Sequence, residues 1–259
     1  MSIHTSDTSR THARSRPIAG IIAGVGFAAF PLLRPWGDKS GDPTAMADAF
    51  ASPLWVIAHL CGMVAWCVLV VAAWTHPARS PNPPQPQQSP HRSSRATGFL
   101  ALGTAALLPF FGAETFALHV IGSTAVDQAD LSLLDLESGI RNEPTAMTLF
   151  GVGLLAVAIG AALLARETWR HRTPQWAGIP MAVLVALYLP QFFAPDALRI
   201  THGVLLGTAC VLWAVTSSRA AGRTDDNRSS SGPGIPTPSQ PAQPSGTIST
   251  PSQRTSWLT

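Results

Sequence analysis

Charge is scarce in this sequence. Only 12% of its 259 residues are Asp, Glu, Lys or Arg, against about 25% in an average soluble domain. Of its 17 basic residues one is a lysine, Lys39. Cysteine is also sparse: Cys61, Cys67 and Cys210 lie inside apolar stretches with no Cys-x-x-Cys spacing. That excludes a disulfide or zinc framework and reads as small buried packing residues. There is no phosphate loop, nucleophile elbow or Ser-His-Asp order, so no familiar catalytic motif announces an enzyme, and whether it is one stays open. The composition excludes a coiled coil, a collagen and an ordinary soluble globule.

Apolar sequence is plentiful. Hydrophobic residues make up 46% and mean hydropathy is +0.20, although both ends and one loop are polar. The apolar residues fall into six stretches, 17–33, 53–74, 97–120, 144–165, 174–193 and 197–217. A bilayer core of about 30 Å needs about 20 such residues in a helix. Lipid leaves backbone groups no partner outside their own segment, so helices are the expected element. Start signals agree. Ser52-Pro53, Thr173-Pro174 and Asn142-Glu143-Pro144 each put a capping or acidic residue before a proline, and Asp196 stands before Ala197. The first stretch follows a basic segment, as a signal peptide does, but exceeds the usual apolar run of about 7–15 residues.

Net charge is +3 and pI about 9.1. Because the arginines flank apolar stretches, they read as orientation signals, and no nucleic-acid partner is expected. Counting alternate sides of the spans gives 13 Lys/Arg against 4, the minority being Arg34, Lys39, Arg141 and Arg199. The positive-inside rule puts the 13, and both termini, in the cytoplasm. The expected fold is therefore all-α, a polytopic bundle of six transmembrane helices over 17–217. A cytoplasmic N-terminus (1–16) and a Pro/Ser-rich tail (218–259) are expected to be disordered. The Pro-rich segment 79–94 reads as a cytoplasmic spacer. The excess of Arg over Lys, with heavy Ala and Pro use, suggests a GC-rich bacterium, hence a bacterial plasma membrane. The bilayer is the one sure partner; a homo-oligomer stays open.

Smaller features follow. Leu133, Leu136 and Ile140 recur at helical spacing, which predicts a short amphipathic helix over 130–140 on the outer face. Gly20-x-x-x-Gly24 and Gly203-x-x-x-Gly207 predict close helix approach. Ala19-Gly20-Ile21 and Ala177-Gly178-Ile179 form a faint internal echo.

Ionisable groups inside spans are costly and mark candidate sites. Here they are His59, Glu114, His119, Arg199 and His202. At 1.5 Å per residue, His59, Glu114 and His202 all lie about 7–9 Å from the outer ends of their helices. Three readings stay open. The cluster is a polar network fixing the helices in a structural or accessory protein. Or it is the metal, haem or quinone site of a redox enzyme, with His59, His202 and Glu114 as candidate ligands. Or it lines the pocket of an outward-facing small-molecule binder or permease. Glu114 and His119 are five residues apart, so on a regular helix they point about 140° apart; only a distortion near Pro109 and Gly112 would let both face one ion.

The stretches LLRPWGD (32–38), FASPLWVIAHL (50–60), FFGAETFALHVIG (110–122), RNEPTAMTLFGVGLL (141–155) and YLPQFFAPDALRITHGVLL (188–206) resemble those of multi-pass membrane proteins of high-GC Gram-positive bacteria. The resemblance spans about 17–217. It implies a six-helix bundle and, since that group has no established activity, no catalytic residues.

Overall fold

The structure is a computed structural model. It describes residues 6–74, 95–170 and 178–230, with side chains for 18–74, 95–166 and 178–216. Among these residues the chain is helical and has no strand. The chain opens with α1 (Ser6–Leu33), a short 3-10 turn (Gly37–Lys39), α2 (Pro43–Ala51) and α3 (Pro53–Trp74). Next come α4 (Arg95–Gly112), a π-helical turn (Ala113–Ala117) and α5 (Leu118–Gln128), which form one continuous helix. A 3-10 turn (Leu131–Asp135), α6 (Leu136–Arg141), α7 (Pro144–Arg170), α8 (Gly178–Ala186), α9 (Tyr188–Gln191) and α10 (Asp196–Ser230) complete it.

Among the described residues four helices are long and apolar enough to cross a membrane: Pro53–Trp74, Arg95–Gln128, Pro144–Arg166 and Asp196–Thr216. The apolar part of α1, Ile18–Leu33, is shorter, and the 178–191 segment is broken at Leu187. The linker 79–94 and most of the C-terminal tail lie outside the described residues. Helical backbone reaches Ser6 at one end and Ser230 at the other, past the expected span limits. Residues 6–16 contain neither Pro nor Gly, and the Gly232-Pro233 breaker comes only after Ser230.

The expected caps form in part. Ser52 Oγ accepts from Leu54 N, and Glu143 Oε2 accepts from Ala146 N. Asp42 caps α2 by accepting from Thr44 N. Asp196 differs: it is the first residue of α10, and the carbonyl of Pro195 receives the first amides. The segment after Asp130 also differs from the single amphipathic helix expected. It divides into a 3-10 turn and α6, with Leu134 buried and Leu136 57% exposed. Asp130 accepts from Ser132 N and so starts the tight turn one helical type earlier.

Packing follows the small residues. Helix α1 lies against α10 on one side and α3 on the other, α4 lies along α7, and α8 sits between α7 and α10. A Cβ on Gly24 would stand 2.5 Å from Gly207 O, and one on Gly103 would stand 2.7 Å from Gly153 O. Both glycine pairs let backbones meet, as the spacing of Gly20, Gly24, Gly203 and Gly207 led one to expect. Phe27, Trp66 and Tyr188 fill the centre, edge to face at 5.0 Å between successive rings from Phe27 to Trp66 and from Trp66 to Tyr188. A second small core caps one end of the bundle, where Phe50, Trp55, Leu118 and Leu134 join α2, α3, α5 and the second 3-10 turn.

Gly24→Ala should lower stability by about 1–3 kcal/mol, the usual cost of overpacking where the neighbour is backbone. Gly98→Ala, whose Cβ would meet nothing within 4 Å, should be neutral or stabilising. Thermal unfolding of the two variants in detergent checks the pair.

Candidate functional site

Two irregularities shape the capped end of the bundle. Pro109 has no amide to give to the preceding turn, and a few residues on the helix widens into the π turn that carries Glu114. The backbone groups are partnered from outside the ladder. Glu114 O accepts Trp55 Nε1–H at 2.9 Å, and Phe111 O accepts the Thr115 hydroxyl at 2.5 Å. The second irregularity is the break at Leu187, three residues before Pro190. Beside it, His202 Nε2–H donates to Leu184 O at 2.8 Å.

The site is an ion-pair network centred on Arg141. Its Nε donates to Glu114 Oε1 at 2.6 Å, its Nη1 to Glu137 Oε1 at 2.5 Å and its Nη2 to Asp38 Oδ2 at 3.0 Å. Asp38 Oδ2 also receives Arg34 Nη2 at 2.7 Å. The Asp38 side chain is fully buried and that of Arg34 is 6% exposed. Both guanidiniums lie near the Trp55 ring, Arg34 4.7 Å and Arg141 5.9 Å from its centroid. Burial works against the charge of Arg141, but Glu114, Asp38 and Glu137 outweigh it and hold its guanidinium more firmly protonated than usual. Lys39 is pushed the other way. Partial burial and then the neighbouring Arg141 lower its pKa, only partly offset by Asp38 at 3.8 Å.

The sequence-nominated residues divide. His59 and Glu114 meet: His59 is fully buried, and its Nε2 faces Glu114 Oε2 at 3.6 Å. His59 Nδ1 lies 2.7 Å from Trp55 O, so Nδ1 carries the hydrogen, because a carbonyl only accepts. His119 goes elsewhere. Even with the π distortion its Nδ1–H donates to Phe50 O, tying α5 to α2. Arg199 donates to Ala194 O at 2.8 Å and to Phe192 O, closing the turn after α9. His202 is held by Leu184 O. Among the described residues no group of three or more His, Cys, Asp and Glu stands close enough to hold a metal ion. Glu114 Oε1 is moreover taken by a cation, which repels another. Of the candidate ligand set His59, His202 and Glu114, only His59 and Glu114 come together.

Arg34, Asp38, Glu137 and Arg141 were legible only as flanking charges. A signal was present, since Arg34/Asp38 and Glu137/Arg141 are both i,i+4 pairs of opposite charge at the same end of the spans.

Below the network lies a cavity of about 390 Å³, within the 300–1,000 Å³ range of ligand pockets. Its charged lining is Arg34, Lys39, Glu114, Arg141 and Arg199; the rest is largely aromatic, and His202 lies at its side. Phe110 and Phe150 stack at 4.4 Å in its wall.

No family model matches the chain, and no curated protein or solved structure matches it.

Arg141→Ala should cost about 3–5 kcal/mol, because it leaves Glu114 and Glu137 without their buried cation. Arg141→Lys should recover only part of that, since an ammonium cannot serve three carboxylates with a planar fork. Thermal melts of both variants against wild type measure the difference.

Proposed function

We propose that the protein is a six-span protein of the bacterial plasma membrane, with both termini cytoplasmic, that binds a small molecule in a cavity opening toward the outside. Four apolar helices of spanning length support the membrane setting. The positive-inside count supports six crossings, with the broken α8–α9 segment and the apolar part of α1 as the two remaining ones. The capped end, which carries Arg34, Lys39, Arg141 and Arg199, then faces outward.

The observation that carries the binding role is the cavity itself. Its wall is drawn from several helices, and it is lined by four cations and one carboxylate. A network that served only to lock helices together would be expected to fill the space it encloses. The Arg141 network is still structural in one sense: it closes the cap and thereby shapes the cavity rim. The redox readings gain nothing comparable, because among the described residues no three His, Cys, Asp or Glu side chains come together.

Lys39 tests the orientation. It is the one lysine in the chain, so a membrane-impermeant amine reagent should modify it in intact cells. Its lowered pKa should let it react at a lower pH than a free lysine side chain, near 10.4. Modification only after the membrane is opened would reverse the topology.

Gly151 tests the cavity. It lines the space, and a Cβ there would meet nothing within 4 Å. Gly151→Leu should fill volume without harming α7, since Leu is the better helix former by somewhat under about 1 kcal/mol. Native mass spectrometry of gently extracted protein should show a bound small molecule in wild type and none in this variant. Identical bare spectra for both would remove the binding role.

A further inference from the structure

We propose that the cavity takes a single-chain amphiphile with an acidic head, a carboxylate or a phosphate, its head against Arg34, Lys39 and Arg199 and its chain against the aromatic floor. This rests on the small-molecule binding proposed above and names the class of ligand. Polarity is sorted along the cavity's depth. On α1, Phe27 lies two turns below Arg34, roughly 10 Å at 1.5 Å per residue. On α7, Phe150 lies nearly two turns past the first residue, Pro144, while Asn142 caps α6 just before it, and Phe150 and Asn142 both line the space. Charged groups therefore gather at the capped end and rings at the other. A molecule that satisfies both ends must itself be polar at one end only.

The sign of the head follows from which charges are already satisfied. Glu114, the one acid in the lining, is taken by Arg141 at 2.6 Å and faced by His59. Arg199 has no carboxylate within ion-pair distance among the described residues and holds only backbone carbonyls. The nearest carboxylate to Lys39 is Asp38 at 3.8 Å, and two arginines already share it. Arg34 Nη1 is buried with no hydrogen-bond partner. Three cationic groups at one end thus have donors to spare, and an anionic oxygen is the acceptor that suits all of them. The lining residues set farther from the cap, Phe27 and Phe150 among them, are uncharged rings that offer faces and edges.

A chain also has a way in. Met147, Leu189 and Phe193 line the cavity and are 44%, 42% and 87% exposed. The border of the cavity between α7 and the segment around α9 is thus largely apolar, with Tyr188 and Gln191 as its polar side chains. It lies beside the break at Leu187, so an acyl chain can enter there without passing a charged group.

The test uses the full chain in phosphatidylcholine nanodiscs and displacement of a fluorescent dansyl-undecanoate probe. Competitors are oleate, oleoyl lysophosphatidate, oleyl alcohol, butyrate and inorganic phosphate. Oleate or the lysophosphatidate should displace the probe at about tenfold lower concentration than the alcohol, the worth of one charge-assisted hydrogen bond. Which of the two is stronger separates a free fatty acid from a phosphate-headed lipid. Lys39→Gln, on an exposed turn where folding is not at stake, should weaken oleate several-fold. Gly151→Leu should abolish probe binding at a melting temperature no lower than that of wild type. Equal competition by the alcohol would overturn the acidic head while leaving a lipid-binding cavity. Equal competition by butyrate or phosphate would overturn the chain in favour of a small anion. If the probe binds wild type and Gly151→Leu alike, or neither, the cavity is not a binding site and both proposals fall.

Discussion

The capped end depends on a single guanidinium serving three carboxylates. Glu114 sits on a π turn in one helix, Asp38 on the turn after α1, and Glu137 on α6. None of these segments is adjacent in sequence to more than one of the others, and each brings a carboxylate that burial would penalise on its own. Arg141 uses Nε, Nη1 and Nη2 on the three in turn, so one side chain fixes the positions of three chain segments. Such a network adds little net stability over well-packed apolar residues. Its effect is geometric: it ties the turn after α1, the π turn and α6 to one another, with both arginines close to the Trp55 ring.

The rest of the polar chemistry in the spans repairs backbone. Pro109 lies inside α4 and Pro190 inside α9, each without an amide for the preceding turn, and a buried carbonyl so freed or displaced needs a donor from within the protein. Trp55 and Thr115 serve the π turn. His202 serves Leu184 beside the break, and Arg199 serves Ala194 and Phe192 after it. His119 and His202 turn to carbonyls at the end of α2 and beside the break at Leu187, while His59 bonds Trp55 O within its own regular helix α3. Matching distances from helix ends fix one coordinate; convergence also needs the angular position around the helix and the nearest available partner.

The legible parts of the molecule were those fixed by local periodicity and composition. Runs without charge gave the limits of Pro53–Trp74, Pro144–Arg166 and Asp196–Thr216 to within a residue, whereas Arg95–Gln128 runs eight residues past its expected end and 174–193 divides into two short helices; the glycine spacing gave close helix approach, and the structure shows that it joins α1 to α10. The pairing of His59 with Glu114 was within reach because both lie inside apolar runs, where an ionisable group is conspicuous. Asp38 and Arg141 lie 103 positions apart in loops rich in other charges, so nothing local distinguishes them from solvated flanks. Their burial is a consequence of the cap folding over the bundle, a long-range event. The split of 131–141 into two helical types was hidden for a related reason: the spacing of Leu133, Leu136 and Ile140 fits one helix, but the Asp130 cap tightens the first turn and rotates Leu134 inward instead.

A difference between the network and the cavity rim decides how the two should be understood. Within the network each carboxylate is matched, and the second arginine, Arg34, shares Asp38. At the rim Lys39 and Arg199 add positive charge without adding an acid, and Lys39 suffers for it, discharging more readily than a free lysine because burial and Arg141 oppose its proton. Folding alone gives no reason to place such groups around a hollow, since a polar neutral side chain could serve the carbonyls of Phe192 and Ala194 without the repulsion. Where a local choice works against stability and nothing in the fold compensates, the usual explanation is a function that needs it. Here the uncompensated quantity is positive charge above an aromatic floor, and the partner it calls for is negative at one end and apolar along the rest.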